Sequence, residues 1–145
     1  MNSYFKKKTK AEVLFDLKKK NIKFKIPKTY YFNLKEWNED SDMIIENILL
    51  KFSKKKFIVI RSSSQEEDKT NASNAGKFLS QLKVPIYKNR ISSAIISVIK
   101  SYKKQKNKKK LEKNQILVQE MIGNTSMSGV IFTKDLDSGA NYYSI

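Results

Sequence analysis

The sequence predicts an α/β fold of the α+β kind, and three stretches carry that expectation. FIVIRS at 57–62 is a short run of β-branched and aromatic residues, the content and length of a buried strand. Ile91, Ala94, Ile95, Val98, Ile99 and Tyr102 recur at helical spacing and form the cleanest amphipathic stripe in the chain. At the C-terminal end ILVQEM, SGVIFT and NYYSI, parted by Gly- and Asn-bearing turns, predict three short strands in a β-meander.

Taken in order, TKAEVLFDLKKKN at 9–21 places Ala11, Leu14 and Leu17 on one face of a short helix, with lysines in its last turn where they suit the macrodipole. FKIPKTYYFN, with Pro27 and its aromatics, predicts an extended segment and a strand. Ser41 is placed to cap a second helix in which Ile44, Ile45, Ile48, Leu49 and Phe52 share a face, before lysines 54–56. KFLSQLKV alternates as a strand that Pro85 closes, and Asn89 is placed to cap the helix that follows. The lysine-rich 104–115 predicts a solvated linker between a part spanning 8–103 and the meander at 116–145. Ile145 ends the chain in mid-strand, as a domain truncated at its C-terminus would.

Composition narrows the chemistry. The 145 residues include no cysteine and no histidine, which removes disulfides, thiol and imidazole catalysis and nearly every zinc site. Lysine, arginine, carboxylates, hydroxyls and backbone donors remain, an inventory that suits phosphate chemistry. The formal charge of +16 would suit nucleic acid, yet all but Arg61 and Arg90 of the 30 basic residues are lysine. Phosphate and base recognition favour the planar fork of arginine, so the excess reads as background composition rather than a selected surface. No apolar run approaches the roughly 20 residues that span a bilayer, and no signal-type block follows the N-terminus, so a cytoplasmic location and no membrane partner are expected.

The stretch VIRSSSQEEDKTNASNAGKF concentrates the functional signals. Read structurally, a strand ends and Ser64 with Glu67 forms a capping box for a helix. Read functionally, Arg61 at a strand end holds a phosphate, the hydroxyls of Ser62 and Ser63 with backbone N–H groups add neutral donors, and Gly76 lets a backbone approach closely. Residues alone leave both open.

In order, VIRSSSQEED, SNAGKF, ILVQEM and SGVIFTKD resemble the motifs of the N-terminal ATP-binding domain of phosphoenolpyruvate synthases and pyruvate phosphate dikinases. Lys10 with Leu14, and Ile26 with Pro27, extend the resemblance toward the start, although Lys8 and Thr9 stand where that family carries paired glycines. The resemblance implies an ATP-grasp-like nucleotide-binding domain. It implies that Lys10 and Arg61 contact ATP phosphates as catalytic cations, and that Gln119, Glu120 and Met121 form a hinge along the adenine. Thr133 and Lys134 would face the phosphates, while Glu67 and Asp68 organise a loop. Each has a plainer rival: Lys10 as an exposed helix-start residue, Gln119 and Glu120 as solvent-facing strand residues, Met121 as core filler.

The same resemblance implies magnesium held by ligands beyond residue 145, and a phosphohistidine domain elsewhere that passes phosphate from ATP to a small acceptor such as pyruvate. Asn74, Lys77 and Leu136 depart from the family pattern and point toward a divergent branch, which resembles glutamine kinases of capsule phosphoramidate synthesis. Two rival functions remain at this stage, a non-catalytic nucleotide-binding fragment and a basic nucleic-acid module.

Overall fold

A computed structural model describes residues 8–20, 23–64, 79–102, 111–129, 131, 135 and 138–141. Along the chain run α1 (Lys10–Lys19), β1 (Thr29–Asn33), α2 (Leu34–Glu39), α3 (Ser41–Phe52), β2 (Phe57–Ser63), β3 (Ser80–Pro85), α4 (Lys88–Tyr102) and β4 (Gln115–Glu120). The four strands form one antiparallel sheet in the order β1-β4-β2-β3.

Strand alternation sorts the sheet into two faces. Ile58 and Ile60 of β2, Ile116 and Val118 of β4 and Phe32 of β1 point to one of them. There they pack against Ile44, Ile45, Ile48 and Phe52 of α3 and Ile91, Ile95, Val98 and Tyr102 of α4 in a single core. Ile48, Phe52, Ile58, Ile60, Ile91, Ile95 and Ile116 are inaccessible to solvent, and burying each such side chain is worth roughly 1.5–3 kcal/mol. The apolar stripes read from α3 and α4 are therefore the core-facing stripes.

The opposite face carries the residues between these, and the register aligns them. Tyr31 pairs with Leu117, Leu117 with Arg61 and Arg61 with Ser80. Leu117 is 1% exposed but lies outside the main core cluster, because α1 packs over β4 on its own side of the sheet. Phe15 of α1 meets Tyr31 edge to face, with centroids 6.0 Å apart.

Several boundaries differ from the sequence reading. Asp40, not Ser41, caps α3, its carboxylate accepting from the Met43 amide at 2.8 Å. Asn89 lies inside the first turn of α4, whose Ile91 amide reaches back to the Tyr87 carbonyl. The short α2 was not foreseen; Asn33 and Glu36 hold it with a reciprocal capping box. The end of the expected linker is structural: Leu111 packs against the core, Asn114 is buried and Gln115 already belongs to β4.

β3 departs from simple alternation. Ile58 pairs with Val84 and Ile60 with Gln81, so two residues of β3 oppose one of β2, and Lys83 takes a left-handed φ of 52° at the bulge. β4 lies between β1 and β2 in the sheet, with a neighbour on each edge. Most of SGVIFT and NYYSI lies outside the described residues.

Candidate functional site

Arg61 stands near the end of β2 on the α1 side of the sheet, beside Leu117. The side chain as a whole is half-buried, yet its Nε is buried and has no hydrogen-bond partner among the described residues. An unmatched buried N–H of this kind costs about 1–3 kcal/mol. Buried polar groups are nearly always paired, so this N–H stands out among the described residues.

The serines that follow are committed differently from the expectation. Ser62, 4% exposed, lies on the core side, and its amide donates to the Leu79 carbonyl. Ser63 is inaccessible; its Oγ accepts from the Ala11 amide at 2.9 Å and its own amide donates to the Tyr102 hydroxyl at 2.7 Å. Ser64 is buried and donates to Asn114 Oδ1 at 2.9 Å. The Ser63 and Ser64 hydroxyls fasten the exit of β2 to α1 and to Asn114 just before β4, while the Ser63 amide ties it to α4. Gly76, Thr133 and Lys134, like Glu67 and Asp68, lie outside the described residues.

Lys10 opens α1, next to the amide that Ser63 accepts, two residues along β2 from Arg61 on the same face. Thr9, where the resembled family carries a glycine, is the N-cap of α1 and is 3% exposed. Its Oγ1 accepts from the Glu12 amide at 3.2 Å, and its amide donates to Glu12 Oε2 at 2.9 Å. Two first-turn amides, those of Ala11 and Glu12, are therefore satisfied inside the protein. The loop that would cradle phosphate through backbone donors has become a helix cap, and Lys8 pairs with Asp16. Burial chiefly, then the charges of Glu12, Asp16 and Glu36, raises the Tyr31 phenol above its ordinary value, which marks the β1 flank of this face as acidic.

Gln119 and Glu120, expected along the adenine, fall on opposite faces of the sheet. Gln119 pairs with Val59 on Arg61's face and is half-buried, so its side chain shares the site. Glu120 points to the other face, where its carboxylate pairs with Lys55. The Glu120 amide donates to the Lys28 carbonyl at 2.9 Å and the Met121 amide to the Phe57 carbonyl at 3.2 Å. With β4 enclosed by two ladders, the backbone of Gln119 and Glu120 is already used, and main-chain groups become available only past Met121. There Ile122 is exposed, and a Cβ on Gly123 would meet nothing within 4 Å.

Sequence reasoning did not single out Gln115 and read Tyr102 only as part of an apolar stripe, although the Thr-x-x-Glu of Thr9 and Glu12 was a visible cap signal. Among the described residues no group of three acidic, histidine or cysteine side chains could hold a metal ion. Nor is any described helix long and apolar enough to cross a membrane. A family model described as pyruvate phosphate dikinase, AMP/ATP-binding domain, matches residues 32–145. Comparisons with curated proteins and with solved structures return no match.

Proposed function

The chain belongs to the family of pyruvate phosphate dikinase AMP/ATP-binding domains, and from that premise we propose that it is the ATP-binding part of a phosphotransferase of ATP-grasp architecture, with Arg61 and Lys10 as its phosphate clamp. The observation that carries this reading is the buried Nε of Arg61, which has no hydrogen-bond partner among the described residues. A nucleotide phosphate oxygen would supply the missing acceptor, and a hydrogen bond to a charged group is worth about 1.5–3 kcal/mol.

The clamp works by position and charge. Arg61 projects from a strand held on both sides, so its guanidinium loses little further freedom on binding. Lys10, at the start of α1, adds a second cation near the same phosphates. Together they offset the negative charge that builds on a transferring phosphoryl group, the largest lever such enzymes have. Gln119 adds a neutral side-chain donor on that face, and Met121 with the segment after it offers an apolar contact and free backbone to a nucleobase. Thr133, Lys134 and Gly76 complete the proposed site. With no histidine in the chain, a phosphohistidine carrier has to come from another domain, which passes the group to a small acceptor, pyruvate or the amide of glutamine. Magnesium is assigned to no described residue.

Calorimetric titration of the chain with ATP tests this reading. Saturable binding that Arg61→Met weakens roughly ten- to hundredfold supports it; equal affinity in both proteins overturns it.

A further inference from the structure

Gln115 sits at the crossing of three elements. Its Oε1 accepts from Thr9 Oγ1 at 2.5 Å, and its Nε2 donates to Glu12 Oε1 at 3.0 Å. Glu12 thus spends one carboxylate oxygen on the Thr9 amide and the other on Gln115, while Thr9 uses its hydroxyl as both acceptor and donor. An ordinary capping box closes on its own helix. This one is extended by a residue 106 positions away into a ring of three side chains.

The same residue ties the ring to the strand that carries Arg61. Gln115 is the register partner of Ser63. Its carbonyl accepts from the Tyr102 hydroxyl at 2.6 Å, and that hydroxyl accepts from the Ser63 amide at 2.7 Å. Ser63 Oγ in turn accepts from Ala11. The first turn of α1 is therefore held at two points, one on β4 and one on β2, and Lys10 lies between the bonded residues Thr9 and Ala11. Tyr102 and Ser63 are inaccessible and Thr9 nearly so, which shields most of the network from competing water.

We propose that Gln115 is a positioning residue of the phosphate clamp, fixing where Lys10 stands relative to Arg61. This rests on the clamp reading above. A hydrogen-bonded ring fixes helix position as apolar packing cannot, because N–H···O bonds fail within a few tenths of an ångström and beyond narrow angles. α1 needs such a fixing, since of its ten residues only Ala11 is buried. Groups that hold a functional cation commonly matter almost as much as the cation itself.

The test is a charge-swap rescue read by ATP affinity. Gln115→Glu removes the donor to Glu12 and sets two carboxylates face to face; Glu12→Gln with Gln115→Glu restores one donor and one acceptor at the same contact. The single variant is expected to bind ATP about tenfold more weakly, and the double variant to return within about twofold of the parent. Tripolyphosphate should follow ATP in each case. In a Lys10→Ala background Gln115→Glu should cause no further loss, because its effect passes through that lysine. Equal losses in both backgrounds, or no rescue by the swap in a folded double variant, would overturn the positioning role. If Lys10→Ala and Arg61→Met leave ATP affinity unchanged, the clamp itself falls; if they weaken it and Gln115→Glu does not, only the role of Gln115 falls.

Discussion

Replacing Arg61 with methionine separates what the residue does for the fold from what it does for a ligand. The buried Nε–H has no acceptor among the described residues, at a cost of about 1–3 kcal/mol. Methionine has comparable reach, packs beside Leu117 and carries no donor, so the ligand-free protein should gain about 1 kcal/mol after imperfect repacking. For a chain of 145 residues that raises the unfolding midpoint by about 3 °C. With ATP present the order reverses. At a nucleotide concentration a hundredfold above Kd the parent gains about 2.7 kcal/mol by mass action. The variant, having lost a charge-assisted hydrogen bond, gains only about 0.4 to 1.4 kcal/mol at that concentration. Thermal unfolding followed by circular dichroism, with and without ATP, reads both effects. A ligand-free midpoint several degrees below the parent, with the ATP shift intact, would refute the reasoning and make Arg61 a structural residue.

Tyr102→Phe deletes a hydroxyl that serves a buried amide and a carbonyl at once. It should cost about 2–3 kcal/mol in urea unfolding with an unchanged m-value; an unmoved midpoint would mean that both groups find other partners. Glu120 offers a pH test. The hydrogen bond from Lys55 is the main cause that holds its carboxyl below the ordinary range. A depressed folded-state value means the stabilisation is whole above the unfolded-state value and vanishes as pH falls through the lowered one. The parent should therefore exceed Glu120→Gln by about 0.2–1 kcal/mol at pH 7, the range of accessible ion pairs, and the two should converge in strong acid. A gap that persists there would contradict the assignment.

What the sequence disclosed was set by periodicity. The stripes of α3 and α4 and the strands at 57–62 and 116–120 were legible because burial imposes a spacing that residue type reveals. LKEWNE at 34–39 was not, since six residues are too few for a period to show, and its signal lay in the Asn33 and Glu36 cap instead. The place of β4 between β1 and β2 could not be read from one segment, because strand order is set by contacts distant in sequence. Arg61 stood out in the sequence because it is one of two arginines in the chain and lies at the end of the most strand-like run. Ser62 and Ser63 were assigned to a ligand on hydroxyl chemistry alone, and only the fold shows that both are buried and that the Ser63 hydroxyl already accepts from the Ala11 amide. Gln115 stayed hidden because its partners are more than a hundred residues away.

With two arginines in the chain, the Nε–H resonances of Arg61 and Arg90 can be told apart by nuclear magnetic resonance after one substitution. Arg90 is exposed on α4, whereas the Nε of Arg61 is buried and has no partner among the described residues. Titration with ATP should move the Arg61 Nε–H signal saturably, at the concentration that calorimetry gives for binding, and leave Arg90 in place. A stationary Arg61 signal in a chain that binds ATP would contradict the phosphate clamp.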